Sequence, residues 1–306
     1  MARYVAYRLL RALITIWIVV TLVFIGLRLS GDPAQALLGP EASSEAVAAL
    51  RQAWGIDEPL AVQYTRYLQQ LARGDFGRSL RDQRPATVVV HERIPSTLRL
   101  ASAALAIALS AGTVLGTLAA LRAGSLLDRT IVALSAIGQG IPNFVLGLLM
   151  ILLFALHLGW FPTSGQQGGA SLVLPALTLS SFSVASLTRF TRSALLEVLR
   201  ADYVRTAHAK GLPWRTVLID HMGRNAALTL VTVISLQVAV AIAGAVVTET
   251  VFSWPGMGQL LARAAELRDF PVVQYGVLLI VASVVLVNLL TDILYGWLDP
   301  RVRLEA

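Results

Sequence analysis

The chain has 306 residues, of which 56% are hydrophobic and 14% charged, against about 25% charged in an average soluble domain. With a mean hydropathy of +0.69 it reads as a membrane protein, and spans of about 20 apolar residues each leave no room for a large soluble catalytic domain. The net charge is +7 and the pI near 10.3. The basic residues are scattered between apolar runs rather than gathered with aromatics, so they speak for membrane orientation and against a nucleic-acid partner. There is no cysteine, hence no disulfide and no thiolate metal site.

In chain order, six apolar segments read as spans: 9–29, 98–121, 130–156, 172–188, 227–252 and 275–297. Arg3, Arg8 and Arg11 before the first, with Ala34-Gln35-Ala36 after it, imitate a secretory signal. The apolar stretch Ala12 to Leu27 is too long for one, so an uncleaved helix is expected. Arginines before span one, between spans two and three (Arg122, Arg129), between spans four and five, and after span six (Arg301, Arg303) place both termini in the cytoplasm. The predicted organisation is an all-α polytopic protein with an N-terminal helix at 1–29, an external helical cap at 30–97, and a transmembrane core at 98–306 carrying a cytoplasmic loop at 189–228.

Within the cap, Ser44 is positioned to cap a helix that presents Val47, Leu50 and Trp54 on one face and ends at Gly55. Asp57-Glu58-Pro59 opens a second, with Leu60, Tyr64, Leu68 and Leu71, stopped by Gly74. The pair either lies on the bilayer or docks a partner. In span three, Pro142 within Gly138-Gln139-Gly140-Ile141-Pro142-Asn143 predicts a kink. Span four carries Pro175 with Thr178, Ser180, Ser181 and Ser183. Gln237, Glu249, Asn288 and Asp292 are the polar residues of the last two spans. Intramembrane polar residues mark pathways or hold helices together, and the sequence leaves both readings open.

Catalytic signatures are missing. His91, His157, His208 and His221 form no His-Glu-x-x-His pair, and neither a Gly-x-Ser-x-Gly elbow nor a phosphate-cradling Gly-x-x-x-x-Gly-Lys loop occurs. No catalytic residue, metal ligand or cofactor of its own is assigned to the chain.

The most informative stretch is the loop 189–228. Tyr203, Ala207 and Lys210 fall on one helical face, Gly211 suits a C-terminal cap, and Pro213 is tolerated in the first turn of a following helix. Small residues at 207 and 211 let another protein approach the backbone closely.

Arg205-Thr-Ala207-x-Ala-Lys210-Gly211 with His221-Met-Gly-Arg224 resembles the coupling loop of inner-membrane permeases of ATP-binding-cassette importers, in the form of the oligopeptide, dipeptide and nickel (DppB/OppB-like) subfamily. Further matches run along the chain: Gly31-Asp32-Pro33, Gly55-Ile-Asp57-Glu58-Pro59-Leu60 with Val62-Gln63-Tyr64, Gly74-Asp75-Phe76-Gly77-x-Ser79, Pro142-Asn-Phe-Val-Leu-Gly147, Glu249 through Gly258, Arg268-Asp269-Phe-Pro271 and Leu298-Asp299-Pro300-Arg301. Two departures stand out: Arg205-Thr206-Ala207 replaces the general Glu-Ala-Ala opening, and Pro213 stiffens the turn after the glycine.

The resemblance implies the type I importer (MetI-like) fold and one permease subunit in a bacterial inner membrane. Its partners would be a second, similar permease, two cytoplasmic ATPases holding ATP and Mg2+, an external solute-binding protein, and lipid. The implied solutes are di- and oligopeptides, or alternatively nickel, glutathione or opine-like molecules. It assigns Asp202, Tyr203, Arg205, Ala207, Lys210, Gly211, His221 and Arg224 to contact with the ATPases, and Gln139, Pro142, Asn143, Ser181, Gln237, Glu249 and Asn288 to the translocation path. Trp54, Phe76, Trp254, Pro255 and Gly256 are expected to touch the binding protein.

Overall fold

The computed structural model describes residues 2–199, 210, 211, 213, 237 and 245–298. Among these the architecture is helical, with only a lone antiparallel bridge between Arg78 and Pro85. The chain divides into two compact units, Met1–Thr97 with Pro255–Val285, and Leu98–Trp254 with Leu286–Ala306. This partition differs from the linear one at 29 and 97, because 255–285 belongs with the N-terminal third.

The first unit begins with α1 (Ala2–Leu29), followed by α2 (Pro33–Leu38), α3 (Ser44–Trp54), α4 (Leu60–Ala72) and α5 (Ala86–His91). Asp32 caps α2 by accepting the Ala34 N–H, with Pro33 at the first position, where its missing donor costs nothing. The cap of α3 is Ser43, one residue earlier than expected; its hydroxyl accepts from the Ala46 N–H, and Gly55 closes the helix in the left-handed conformation at φ 65°. On α4 the buried side chain is Gln63, whereas Leu60 is exposed. Gln63 earns its burial through hydrogen bonds. Its Nε2 donates to the Ile56 and Glu58 carbonyls, and its Oε1 accepts from Arg28 Nε at 2.6 Å. Aromatic contacts of Phe24 with Tyr64 and Tyr67, and a 2.7 Å bond between Thr21 and Tyr64, tie α4 to α1.

Next in the chain come α6 (Ile94–Leu121), α7 (Leu126–Gly140), α8 (Asn143–Met150) and α9 (Val173–Leu199). The kink expected at Pro142 is a full break. Ile141 is extended, as the residue before proline must be, and α7 and α8 meet at 102°. After α8 the chain continues as a π-helical stretch, Ile151–His157. Pro175 does not break its helix, because it falls in the first turn of α9. That helix continues to Leu199, so residues 189–199, expected to open the cytoplasmic loop, are helical and continuous with α9.

The stretch 253–274 is likewise not a simple loop. It holds α10 (Met257–Glu266), whose first free amide, on Met257, donates to Thr97 Oγ1 at 2.7 Å. Then α11 (Phe270–Leu298) follows. Leu27, Val89, Val90, Leu261, Phe270 and Val272 form the first unit's core.

Four described helices are long and apolar enough to cross a membrane: Ala6–Leu29, Ala86–Leu121, Ala170–Leu199 and Phe270–Thr291. The bent pair Leu126–Gly140 with Asn143–His157 makes a fifth candidate. Expected span 227–252 lies mostly outside the described residues, although 245–251 is helical.

Candidate translocation path and coupling segment

In the second unit α9 is the hub. Apolar groups bring it to α6, α7 and α8, and glycines set the distance. A Cβ on Gly116 of α6 would lie 2.6 Å from the Thr188 carbonyl oxygen, and one on Gly112 2.8 Å from Leu187 Cβ. The Gly112-x-x-x-Gly116 spacing thus lets the two backbones touch. A cavity of about 320 Å3 opens beside this contact, lined by Ile107 and Ala111 of α6, Ser135 and Gly138 of α7, and Ser180, Ser181 and Val184 of α9.

The hydroxyls along α7 and α9 turn back on their own helices. Ser135 donates to the Ile131 carbonyl, Ser180 to Leu177, Ser181 to Thr178 and Thr188 to Val184, at 2.7 to 3.1 Å. Their protons are satisfied without a partner helix, leaving lone pairs on a surface that is otherwise apolar. Other polar atoms are buried without this compensation. Thr178 Oγ1, Thr191 Oγ1, Thr248 Oγ1 and Gln237 Oε1 have no hydrogen-bond partner among the described residues.

Each expected path residue has a distinct setting. Gln139 and Asn143 flank the break around exposed Pro142, and Gln139 Oε1 accepts from Arg189 Nη1 of α9 at 2.6 Å. Ser181 lines the cavity. Gln237, 2% exposed, donates to Ser186 of α9 at 3.3 Å. Glu249 is completely buried, and its backbone carbonyl accepts the Trp254 N–H at 2.8 Å. Asn288 on α11 is exposed and hydrogen-bonds to nothing among the described residues. The α7–α8 break and the 249–254 turn lie close together: a Cβ on Gly147 would meet Phe252, Val251 and Thr178 at 3.2 to 3.4 Å.

One pair escaped the sequence reading. Asp128 in the first turn of α7 is held by Arg192 of α9 through two bonds of 2.6 and 2.8 Å and accepts the Gly124 N–H at 2.9 Å. Its side chain is 4% exposed. Only the spacing of Asp128 beside Arg129 was visible in the sequence, and nothing there names Arg192 as its partner.

Of the expected coupling residues, Lys210 and Gly211 are described. Both are exposed in a turn, and Gly211 has φ 76°, the left-handed conformation that a cap glycine supplies. Asp202, Tyr203, Arg205, Ala207, His221 and Arg224 lie outside the described residues.

The expected binding-protein contacts separate. Trp54 is half-buried at the end of α3, and Phe76 is half-buried against Tyr275, ring centroids 4.4 Å apart. Trp254 is 1% exposed among Leu100, Ala104, Ala176 and Leu179, so it fills a core rather than presenting a contact. Pro255 is half-buried and Gly256 buried.

Residues 112–304 match the family described as "Binding-protein-dependent transport system inner membrane component", and residues 1–101 match "Binding-prot-dependent transport system membrane comp, N-term". The chain belongs to the inner-membrane permeases of ATP-binding-cassette importers. The glutathione transport system permease protein GsiC of Salmonella paratyphi A is 40% identical over 304 residues, covering 99% of both chains, and GsiC of Escherichia coli K12 is 38% identical with the same coverage. A chain of the MetNI methionine ABC transporter, solved in inward-facing conformations, shares the fold with a TM-score of 0.57 and 20% identity, covering 70% of this chain and 98% of that one.

As a permease the chain is a multi-pass inner-membrane subunit of a transporter and not itself an enzyme. The family works with a partner permease, ATP-binding subunits and a solute-binding protein. The close α6–α9 contact and the Asp128–Arg192 clamp give this permease a stiff scaffold around the broken α7–α8 pair.

Proposed function

We propose that this permease forms one half of the translocation path for peptide-like solutes, and that glutathione is the member of that class it carries. Correspondence with GsiC proteins over 99% of both chains is the observation that carries this reading. In the proposed assembly the chain crosses the membrane six times with both termini in the cytoplasm, as the arginine distribution favours. It pairs with a different but homologous permease, and two cytoplasmic ATPases hold the ATP and Mg2+.

The coupling contact is assigned to Asp202, Tyr203, Arg205, Ala207, Lys210, Gly211, His221 and Arg224. ATP-driven closure of the ATPases pulls on this segment, and α9, which leads toward it, carries the motion to the α7–α8 break beside Gln139 and Asn143. Ser181 and Gln237 line or adjoin the moving surface. A buried Glu249 and exposed Asn288 complete the path set on chemistry alone.

The test is ATP-dependent uptake of labelled glutathione and of a labelled dipeptide by the transporter reconstituted with its cognate partners. Gly211→Leu is the informative variant. A Cβ there meets open space, so leucine clashes with nothing described in the chain and bears only the left-handed strain of about 1–2 kcal/mol. Uptake is expected to fall at least about tenfold, a barrier change of about 1.4 kcal/mol, with normal membrane insertion and continuing ATP hydrolysis. Normal uptake by that variant refutes the coupling assignment, and uptake of dipeptide without glutathione refutes the proposed solute.

A further inference from the structure

A second cavity, of about 330 Å3, lies wholly inside the first unit, between the C-terminal end of α1, the facing ends of α3 and α4, the 77–83 turn and the start of α11. Its volume is in the range of small-ligand sites. Its lining has an unusual composition: Arg28, Arg66 and Arg78, the four amides of Gln63, Gln70, Gln83 and Gln274, the rings of Trp54, Tyr67 and Phe270, and no carboxylate.

The three guanidiniums are not equally engaged. Arg66 is paired with Glu58 at 2.7 Å. Among the described residues Arg78 makes one bond, to the Gln83 carbonyl at 3.2 Å, and has no carboxylate partner. Arg28 is held rigidly and has no carboxylate partner among the described residues. Its guanidinium stands 4.8 Å from the ring centroids of both Phe24 and Phe270, its Nε is bonded to Gln63, and its buried Nη1 meets no acceptor among the described residues.

Stacked aromatic faces and a single amide do not repay the desolvation of a guanidinium as a carboxylate does. Tyr67 adds a donor that makes no hydrogen bond among the described residues. Burial, and secondarily Tyr64, pushes its hydroxyl pKa up to about 12, so it stays protonated at neutral pH.

We propose that this cavity binds a peptide-like small molecule through its carboxylate, which Arg28 and Arg78 receive while Gln70 and Gln274 pair with its amides. The site is separate from the cavity between α6, α7 and α9. It rests on the peptide reading above for biological context only; the chemistry of the lining selects the ligand independently. Bidentate guanidinium–carboxylate recognition favours arginine here; Gln63 and the Gln83 amide nitrogen are already bonded within the chain, and a simple inorganic anion would leave the Gln70 and Gln274 amides without a partner.

The experiment is equilibrium binding to the full chain, copurified with its partner subunits in lipid nanodiscs and without the external binding protein. The probes are glutathione, N-acetyl-triglycine and N-acetyl-triglycinamide, which differs from the second only in lacking the carboxylate. The acid is expected to bind at least about tenfold more tightly than the amide, as one charge-assisted bond allows. Arg28→Gln and Arg78→Gln should each erase that preference. Because Arg28 also packs between rings, Arg78→Gln carries the test should the first variant fold poorly. Arg73→Gln, which removes one exposed cap charge outside the cavity, should change nothing.

Equal affinity for acid and amide, unaltered binding in Arg78→Gln, or no binding of any probe up to about 10 mM, a free energy near −2.7 kcal/mol, overturns the proposal. If free peptides fail while solute-free binding protein is retained through Arg28 and Arg78, the occupant is a protein carboxylate and the small-ligand assignment is wrong. Stimulation of ATP hydrolysis by solute-loaded binding protein, measured on the same sample, separates this outcome from failure of the importer assembly.

Discussion

Three glycines of α6 and α7, with Gly26 of the first unit as an uncrowded reference, offer a graded test of how tightly the second unit is built and how much of that tightness transport needs. At Gly116 a methyl group would sit 2.6 Å from the Thr188 carbonyl oxygen and 2.6 Å from Thr191 Cβ. The first is backbone and Thr191 is buried, so neither yields without moving α9. At Gly112 the nearest atom is Leu187 Cβ at 2.8 Å; at Gly138 it is Ala185 Cβ at 3.6 Å; at Gly26 nothing lies within 4 Å. Overpacking costs about 1–3 kcal/mol, and replacing a helical glycine by alanine returns about 1 kcal/mol. Because Gly116 faces backbone its overpacking cost lies at the upper end of that range, so Gly116→Ala should lose about 2 kcal/mol net, Gly112→Ala less, and Gly138→Ala and Gly26→Ala should be neutral or slightly stabilised. Heating the purified complex and measuring the folded fraction by fluorescence size-exclusion gives the order directly. Uptake should follow the same order, because α9 leads from this contact to the coupling segment. A Gly116→Ala protein that melts with or above the parent refutes the close contact, and with it the stiff scaffold argued for α7 and α8.

The remaining predictions concern charged groups. Asp128→Asn and Arg192→Gln should each destabilise by about 1–3 kcal/mol, since each breaks the charge-assisted bonds while Arg192 keeps partial access to solvent. The swapped pair Asp128→Arg with Arg192→Asp should recover only part of that loss, because the Gly124 N–H that Asp128 accepts faces an arginine; full recovery in a thermal-melt double-mutant cycle would refute the geometry. Ser79→Ala should cost about 1–3 kcal/mol by removing the 2.5 Å bond to Asp269 inside a buried turn. The same heating assay reads it, and an unchanged melt argues that the turn is held by the Leu80 amide alone.

What the sequence made legible was the helical class, most span positions and the individual motifs. What it hid was how those motifs meet. Gly74 through Ser79 and Arg268 through Pro271 are separated by about 190 residues, and no local periodicity links them. Yet Ser79 bonds to Asp269, a Cβ on Gly77 would be 3.4 Å from Pro271, and the Phe76 ring packs at a tilt against Tyr275. Arg268 in turn reaches back to the Asp32 carbonyl, 3.2 Å away, in the Gly31-Asp32-Pro33 motif, and Arg51 joins Asp32 to Asp57. The break at Pro142 was foreseen as a kink because proline's effect is local, whereas its size depends on tertiary packing, including Gly147 against Phe252. Trp254 was misjudged for the related reason that an aromatic in a turn looks exposed until the core it fills is known.

This distribution of bonds bears on where specificity resides in the first unit. Its recurrent motif residues are occupied with one another: Gln63 with three partners, Ser79 and Asp269 with each other, Asp57 with Arg51, Tyr64 with Thr21. A side chain whose polar atoms are already satisfied internally contributes little discrimination between ligands, because exchanging those bonds for new ones returns almost nothing. Residues outside those motifs, Arg78 without a carboxylate and Tyr67 without an acceptor among the described residues, keep donors in reserve beside a cavity whose described lining contains no acid. The motifs therefore account for a rigid frame, and the less conspicuous residues lining its cavity are where a carboxylate-bearing solute gains the bonds that the frame itself does not use.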